Sequence, residues 1–153
     1  MGGEVFDRLA CFLLVAHSLT TAAEFLCVEL LYRRRGTRDL TRLSGIAITS
    51  PVLFKLGFLN TLVTIGFPGS SLFIAKVVFL THLCFLFPCV GLLYGVIFLV
   101  ILPCFFMRVW VPIWFGQSRL QTPELDLEGR DVGWLLVTIG GGLYLGLTSW
   151  GLS

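Results

Sequence analysis

The sequence is poor in charge. Only 13% of its 153 residues are charged, whereas 56% are apolar and the mean hydropathy is +0.92. A soluble domain averages about 25% charged residues. A soluble fold of this size has too little interior to hide so much apolar surface, so lipid must form part of its solvent. The net charge of only +2 gives no support to nucleic-acid binding.

Residue types that carry chemistry are scarce as well. There are only two histidines, too few for a histidine-box di-iron enzyme, and they form no HExxH motif. The five cysteines form no CxxC pair and lie in apolar stretches, where they pack as small apolar residues. The sequence also has no nucleophile elbow and no Asp-rich metal motif. We therefore expect a protein that is not an enzyme and has no metal site.

Four apolar stretches are long enough to cross a bilayer core, which takes about 20 helical residues. A basic loop at 32–45 and a polar loop at 117–131 separate some of them. This pattern predicts an all-α membrane protein with a single transmembrane domain over residues 1–153, a bundle of about four transmembrane helices. The predicted helices cover residues 9–31, 46–66, 72–107 and 132–152.

The third stretch, 72–107, is too long for one straight crossing. It would run about 54 Å as a helix against a hydrocarbon core of about 30 Å. It is either a long helix kinked near Pro88 or a hairpin around Pro88 and Gly91, which leaves four or five crossings open. A hairpin inside the bilayer would leave backbone polar groups unsatisfied in lipid. We therefore favour the long kinked helix.

Arginines set the predicted orientation. Short basic loops stay on the side from which a membrane protein is inserted. The loop at 32–45 and the loop at 117–131 are therefore predicted inside, and both chain ends outside. The arginines of the first loop are also expected to contact lipid headgroups. They are Arg33, Arg34, Arg35, Arg38 and Arg42.

Two oppositely charged residues are predicted at membrane depth. Glu24 and Lys55 lie about 10–14 Å from the inner ends of the first two predicted helices. Neighbouring antiparallel helices would join them as an intramembrane ion pair. Such a pair is either a structural lock or part of a path for protons or ions.

The two histidines are predicted at similar depths. His17 and His82 lie on predicted helices that run in the same direction, so they could ligate a b-type haem between them. A histidine hydrogen-bonded inside the bundle is the simpler interpretation. Apart from this haem, we expect no cofactor, only bound phospholipids.

Glycines at four-residue spacing indicate close helix packing, because a missing side chain lets two backbones approach. The contacting helix belongs to this chain or to another. The pairs are Gly91 with Gly95 and Gly142 with Gly146.

Together these features favour a non-catalytic accessory subunit of a larger membrane complex, whose partners are other membrane subunits and lipids. The specific expectation is a respiratory-chain or ATP-synthase assembly of the mitochondrial inner membrane, with the endoplasmic reticulum or another endomembrane as the alternative. Two other functions stay open. One is a haem-bearing membrane anchor using His17 and His82, and the other is a small transporter, channel or lipid-handling protein using Glu24 and Lys55.

Overall fold

A computed structural model describes residues 2–37, 39–40, 42–117 and 127–148. These residues are almost entirely helical and form no strand, which confirms the predicted all-α class. The α-helices are α1 (Gly2–Arg35), α2 (Ile46–Thr49), α3 (Pro51–Ile65), α4 (Ser71–Leu86), α5 (Pro88–Gly95), α6 (Leu102–Phe115) and α7 (Gly129–Thr148). A π-helical segment, Val96–Ile101, joins α5 to α6.

Two stretches of helix are long and apolar enough to cross a membrane among the described residues, namely Ala10–Arg35 and Pro88–Phe115. The helices α3 and α4 are apolar but shorter. α1 has 34 residues and is therefore about 51 Å long. It begins at Gly2, ahead of the predicted start at residue 9, and ends in a basic turn that complements the negative end of the helix dipole.

The chain reverses direction at Phe87, so the predicted long helix kinked near Pro88 is not what the structure has. A Cβ on Gly91 would lie 2.7 Å from Cys84 Cα, a proximity that a continuous helix does not allow. The Phe87 N–H donates to Leu83 O at 2.8 Å, and the Phe87 carbonyl accepts from Gly91 N at 2.9 Å. Because proline has no N–H, Pro88 leaves no unpaired donor at the turn, and few backbone groups there lack a hydrogen bond. A hairpin at this position therefore avoids the cost of unpaired backbone groups in lipid.

The helix α4 runs onward from α3 and does not fold back beside it. Tyr94 and Trp114 belong to the continuous helix Pro88–Phe115 and lie about 30 Å apart along its axis. Trp114 donates a hydrogen bond to Thr61 of α3 at 3.3 Å, whereas the Tyr94 ring lies 5.2 Å from the Phe79 ring of α4. An α4 folded back along α3 would place Phe79 near the level of Trp114. α3 and α4 are therefore the two halves of one discontinuous helix.

The described residues thus form four helical columns: α1, the α3–α4 pair, Pro88–Phe115, and α7. The count agrees with the predicted bundle, but the predicted helices 46–66 and 72–107 divide differently. The reversal at Phe87 lies at the outer end of the bundle, where it leaves the predicted orientation of the basic loop unchanged. Residues 118–126 of the polar loop and 149–152 of the last predicted helix lie outside the described residues.

The core is centred on Trp114, which is fully buried. Its ring packs directly on Gly57 of α3, where a Cβ would lie 2.8 Å from Cζ2. Large apolar side chains remain on the outside of the bundle, among them Phe25, Phe85 and Tyr144. So much exposed apolar surface fits a hydrocarbon solvent or neighbouring membrane helices.

Candidate intramembrane site at the helix break

The break between α3 and α4 follows from a short run of glycine, proline and serine. Gly66 ends α3 with a φ of 93°, and the N–H of Phe67 donates back to Leu62 O at 3.0 Å. Gly69 takes a second positive φ, 98°. Ser70 then caps α4, because its Oγ accepts from Phe73 N at 3.2 Å. The two half-helices therefore meet inside the bundle, and some of their terminal backbone groups are bonded within the break itself.

Lys76 connects the second half-helix to the end of the first. It is only 7% exposed, and its Nζ donates a hydrogen bond to Ile65 O at 3.0 Å. Ile65 is the last residue of α3, where the free carbonyls carry the negative end of the helix dipole. The ammonium group is thus placed where a buried cation is best stabilised.

Glu24 of α1 contacts the same turn of α3 from the other side. Thr64 Oγ1 lies 3.1 Å from Glu24 Oε1 and 2.9 Å from Asn60 O. The hydroxyl has one proton, so it donates to one of these oxygens at a time, and its lone pairs can accept a hydrogen bond from a neutral Glu24. The carboxamide of Asn60 is fully buried and faces the same carboxylate without a well-formed hydrogen bond.

Glu24 and Lys76 are therefore linked through consecutive residues of α3. Glu24 contacts the side chain of Thr64, and Lys76 contacts the carbonyl of Ile65. Two opposite charges meet the end of one half-helix without forming a direct ion pair. Both contacts fall within a single turn at the end of α3.

A cavity of about 400 Å³ opens next to Lys76, between α1, α4 and the helix Pro88–Phe115. Its wall is mainly apolar, with leucine and phenylalanine the commonest side chains. The polar groups on it are His17, Thr64, Lys76 and Tyr94. The cavity gives the buried ammonium a neighbouring space that also contains an imidazole.

The structure does not bring Glu24 and Lys55 together. Lys55 is exposed and has no ion-pair partner among the described residues. At about 100° per residue, it lies on the opposite side of α3 from the buried residues Leu53 and Gly57. Equal depth was predictable from the sequence, but the rotation of α3 about its axis was not.

The two histidines are also placed apart. His17 is exposed and lines the cavity with Lys76, whereas His82 does not line it. His82 follows Lys76 by about six residues, or about 9 Å along α4. The predicted equal depths were wrong because α1 begins earlier and α4 runs in the opposite direction from that assumed. Among the described residues, no group of three or more metal-ligating side chains forms.

The four glycines of the spaced pairs all lie at helix contacts within this chain. A Cβ on Gly91 or Gly95 would meet Cys84 or Leu80 of α4, respectively. On α7, Gly142 faces Thr20 and Val63, and a Cβ on Gly146 would lie 2.6 Å from Ser71 N. The contact between Gly146 and Ser71 holds α7 directly against the helix break.

The basic loop ties the inner end of α1 to α2 and α3. Arg35 donates to Thr49 Oγ1 at 2.9 Å, and Arg34 lies 3.4 Å from Ser50 Oγ. Arg42 pairs with Asp39 at 3.5 Å. Arg33 pairs with Glu29 at 2.8 Å, and Arg38 lies outside the described residues.

Lys76, Thr64 and Asn60 are not among the site residues that the sequence predicts. From the sequence, Lys76 is a lysine near a helix end that reaches outward, because residues 66–71 resemble an ordinary surface turn. The sequence feature that could have identified Lys76 is its position within two helical turns of residues 66–71, between two apolar helices. Thr64 and Asn60 carry no signal of their own in the sequence.

Comparison with known proteins finds the family described as NADH:quinone oxidoreductase/Mrp antiporter, TM, whose family model matches residues 4–102. NADH-ubiquinone oxidoreductase chain 4 of Chondrus crispus is 31% identical over 137 residues, covering 83% of this chain and 26% of that protein. NADH-quinone oxidoreductase subunit M of Pseudomonas aeruginosa is 25% identical, with coverage of 88% and 26%. The chain spans about a quarter of the length of these curated relatives.

Proposed function

Because this chain belongs to the NADH:quinone oxidoreductase/Mrp antiporter transmembrane family, we propose that it acts within the membrane part of an NADH–quinone oxidoreductase. In this proposal it forms and breaks no covalent bond, and it takes part in moving protons across the bilayer. Its partners are other membrane subunits of a respiratory-chain complex. The proposed location is the mitochondrial inner membrane. Relatives named NADH-ubiquinone oxidoreductase chain 4 support this assignment.

One observation carries the proton-moving role: the buried Lys76 ammonium on the end of α3, opposite Glu24. Ionisable side chains inside a membrane are costly and mark ion paths or proton relays. Discontinuous helices place the free backbone groups of their ends at membrane depth, where they stabilise charge. The break between α3 and α4 combines both features.

The geometry assigns different surroundings to the two charged groups. Lys76 borders the cavity that it shares with His17, whereas Glu24 lies in the contact between α1 and α3. A proton gained or lost by Glu24 changes the field at the end of α3, and with it the stability of the ammonium at Ile65 O. Lys76 can therefore exchange protons with the cavity, whereas Glu24 exchanges protons on the side of the break that faces α1.

The test is proton transport by the complete assembly in vesicles. Lys76→Met and Glu24→Gln should each lower the protons moved per NADH oxidised by a large factor, while leaving assembly intact on native gels. Lys55→Met is the matched control, since Lys55 is an exposed lysine on the opposite face of α3. An unchanged proton-to-NADH ratio in both site variants would contradict the proposal.

A purely structural role is the second candidate, and the apolar exterior favours it. Phe85, Leu92 and Phe105 are all more than half exposed on α4 and the helix Pro88–Phe115. Such a surface fits contact with neighbouring membrane subunits. Under this alternative, Lys76→Met would leave proton transport unchanged, and polar substitutions on the outer apolar face would block assembly.

A further inference from the structure

A second cavity, of about 300 Å³, lies at the inner end of the bundle between α1 and α7. It is distant from the helix break and has no part in the proposed proton transport. Charged and apolar side chains both line it. They include Glu29, Leu30 and Arg33 of α1, and Arg130, Asp131 and Trp134 of α7.

The cavity holds two cations and two anions. Arg33 Nε pairs with Glu29 Oε1 at 2.8 Å, and the two side chains are 61% and 51% exposed. This contact leaves the terminal nitrogens of the Arg33 guanidinium available, with Asp131 close enough to act on it electrostatically. Arg130 is exposed and has no ion-pair partner within the part of the chain that the structure describes.

The position of the cavity corresponds to the level of the lipid headgroups. It lies beside the basic last turn of α1, on the predicted inner side of the membrane. Trp134 is 59% exposed at its edge, and tryptophan is enriched where headgroups meet acyl chains. Val137, one turn farther along the same side of α7, is 66% exposed and offers an apolar surface toward the bilayer centre.

We propose that this cavity binds the headgroup of a zwitterionic phospholipid with a primary amine, that is, an ethanolamine phospholipid. Arg130 and Arg33 bind the phosphate, because guanidinium groups form paired hydrogen bonds with phosphate oxygens. Asp131 and Glu29 accept hydrogen bonds from the ammonium group. The acyl chains follow the side of α7 that carries Val137.

The charge pattern separates this lipid from the other common classes. An anionic headgroup would satisfy the arginines but would place negative charge beside Asp131 and Glu29. A choline headgroup has a quaternary nitrogen and no N–H to donate to those carboxylates. Only a headgroup with one phosphate and one hydrogen-bonding cation matches all four side chains.

The experiment measures lipid bound to the complete assembly in nanodiscs, with ethanolamine, choline and glycerol phospholipids as competing probes. The unmodified protein should retain the ethanolamine lipid about tenfold over the other two, as expected for hydrogen bonds to charged groups. Equal retention of the three lipids would overturn the proposal, and this measurement does not depend on any variant folding.

Two substitutions locate the site. Arg130→Gln and Asp131→Asn should each remove most of the preference for the ethanolamine lipid. Lys55→Gln is the matched control, because it removes an exposed cation from a different face of the bundle. The proposal fails if either site variant keeps the full preference, or if Lys55→Gln lowers it equally.

Discussion

The ammonium group of Lys76 lies 3.0 Å from the backbone carbonyl oxygen of Ile65, so the second half of a broken helix covers the end of the first. This contact spans the five residues that separate α3 from α4. It satisfies a buried carbonyl and a buried cation together, and each would be costly to leave alone.

Replacing Lys76 should destabilise the protein according to whether the new side chain can donate a hydrogen bond. Lys76→Met leaves Ile65 O without a partner and should cost about 1–3 kcal/mol of the free energy of unfolding. Lys76→Gln keeps an N–H donor and should cost less. The thermal midpoint of the purified assembly measures both. Equal midpoints for the two variants would show that the hydrogen bond contributes nothing.

A methyl group added at Gly57 should disrupt the core. It would overlap the ring of the fully buried Trp114, so Gly57→Ala should destabilise by about 1–3 kcal/mol through overpacking. Gly133→Ala is the control, because a Cβ there meets no atom within 4 Å. Thermal unfolding followed by tryptophan fluorescence compares the two. A midpoint for Gly57→Ala equal to that of Gly133→Ala would contradict the close packing.

Cross-linking should detect the reversal at Phe87. In a cysteine-free background, cysteines at positions 79 and 94 should be joined by a short bifunctional thiol reagent, since the native rings are 5.2 Å apart between centroids. A continuous helix would hold the two positions about 22 Å apart. Cysteines at 79 and 102 are the negative control, because position 102 lies about 12 Å from position 94 along the helix Pro88–Phe115. The kinked-helix interpretation is restored if the 79–94 pair fails to react.

Gly146 should be essential for seating α7 against the helix break. Its Cβ would lie 2.6 Å from Ser71 N and 2.7 Å from Gly69 O, both of them backbone atoms with little room to move. Gly146→Ala should therefore lower both stability and proton transport. Gly140→Ala on the same helix meets open space and should be neutral or slightly stabilising. Transport at the normal level in Gly146→Ala would indicate that α7 and the break are uncoupled.

The helical class and several helix ends could be predicted because they depend on local chemistry. Pro51 begins α3, as proline does at a first helical turn, and the arginines at 33–35 close α1. Composition alone predicts an apolar solvent. These features need no knowledge of which helices become neighbours.

Chain direction could not be predicted, because residues 66–71 have the same local sequence whether α4 turns back or continues. Only distant contacts decide between the two. The hydrogen bond between Thr61 and Trp114 and the ring contact between Phe79 and Tyr94 are such contacts. With the direction of α4 misassigned, the predicted depth of His82 is wrong as well.

The site residues could be predicted in part, for a similar reason. Glu24 can be identified because an acidic residue inside an apolar stretch is conspicuous at any rotation of the helix. The prediction that Lys55 is the ion-pair partner of Glu24 was wrong, because a shift of two residues along α3 moves a side chain to the opposite face. Lys76 lies beyond the helix break, so its role depends on a backbone end that the sequence does not reveal.

The π-helical segment Val96–Ile101 changes what the remainder of its helix can reach. Wider turns retard the rotation of every later side chain relative to an uninterrupted α-helix. Phe98, within this segment, lines the cavity beside Lys76, whereas Trp114, farther along the helix, packs on Gly57. Regular α-helical turns at 96–101 would rotate Trp114 about the helix axis away from Gly57, so the position of the core tryptophan depends on the segment that borders the cavity.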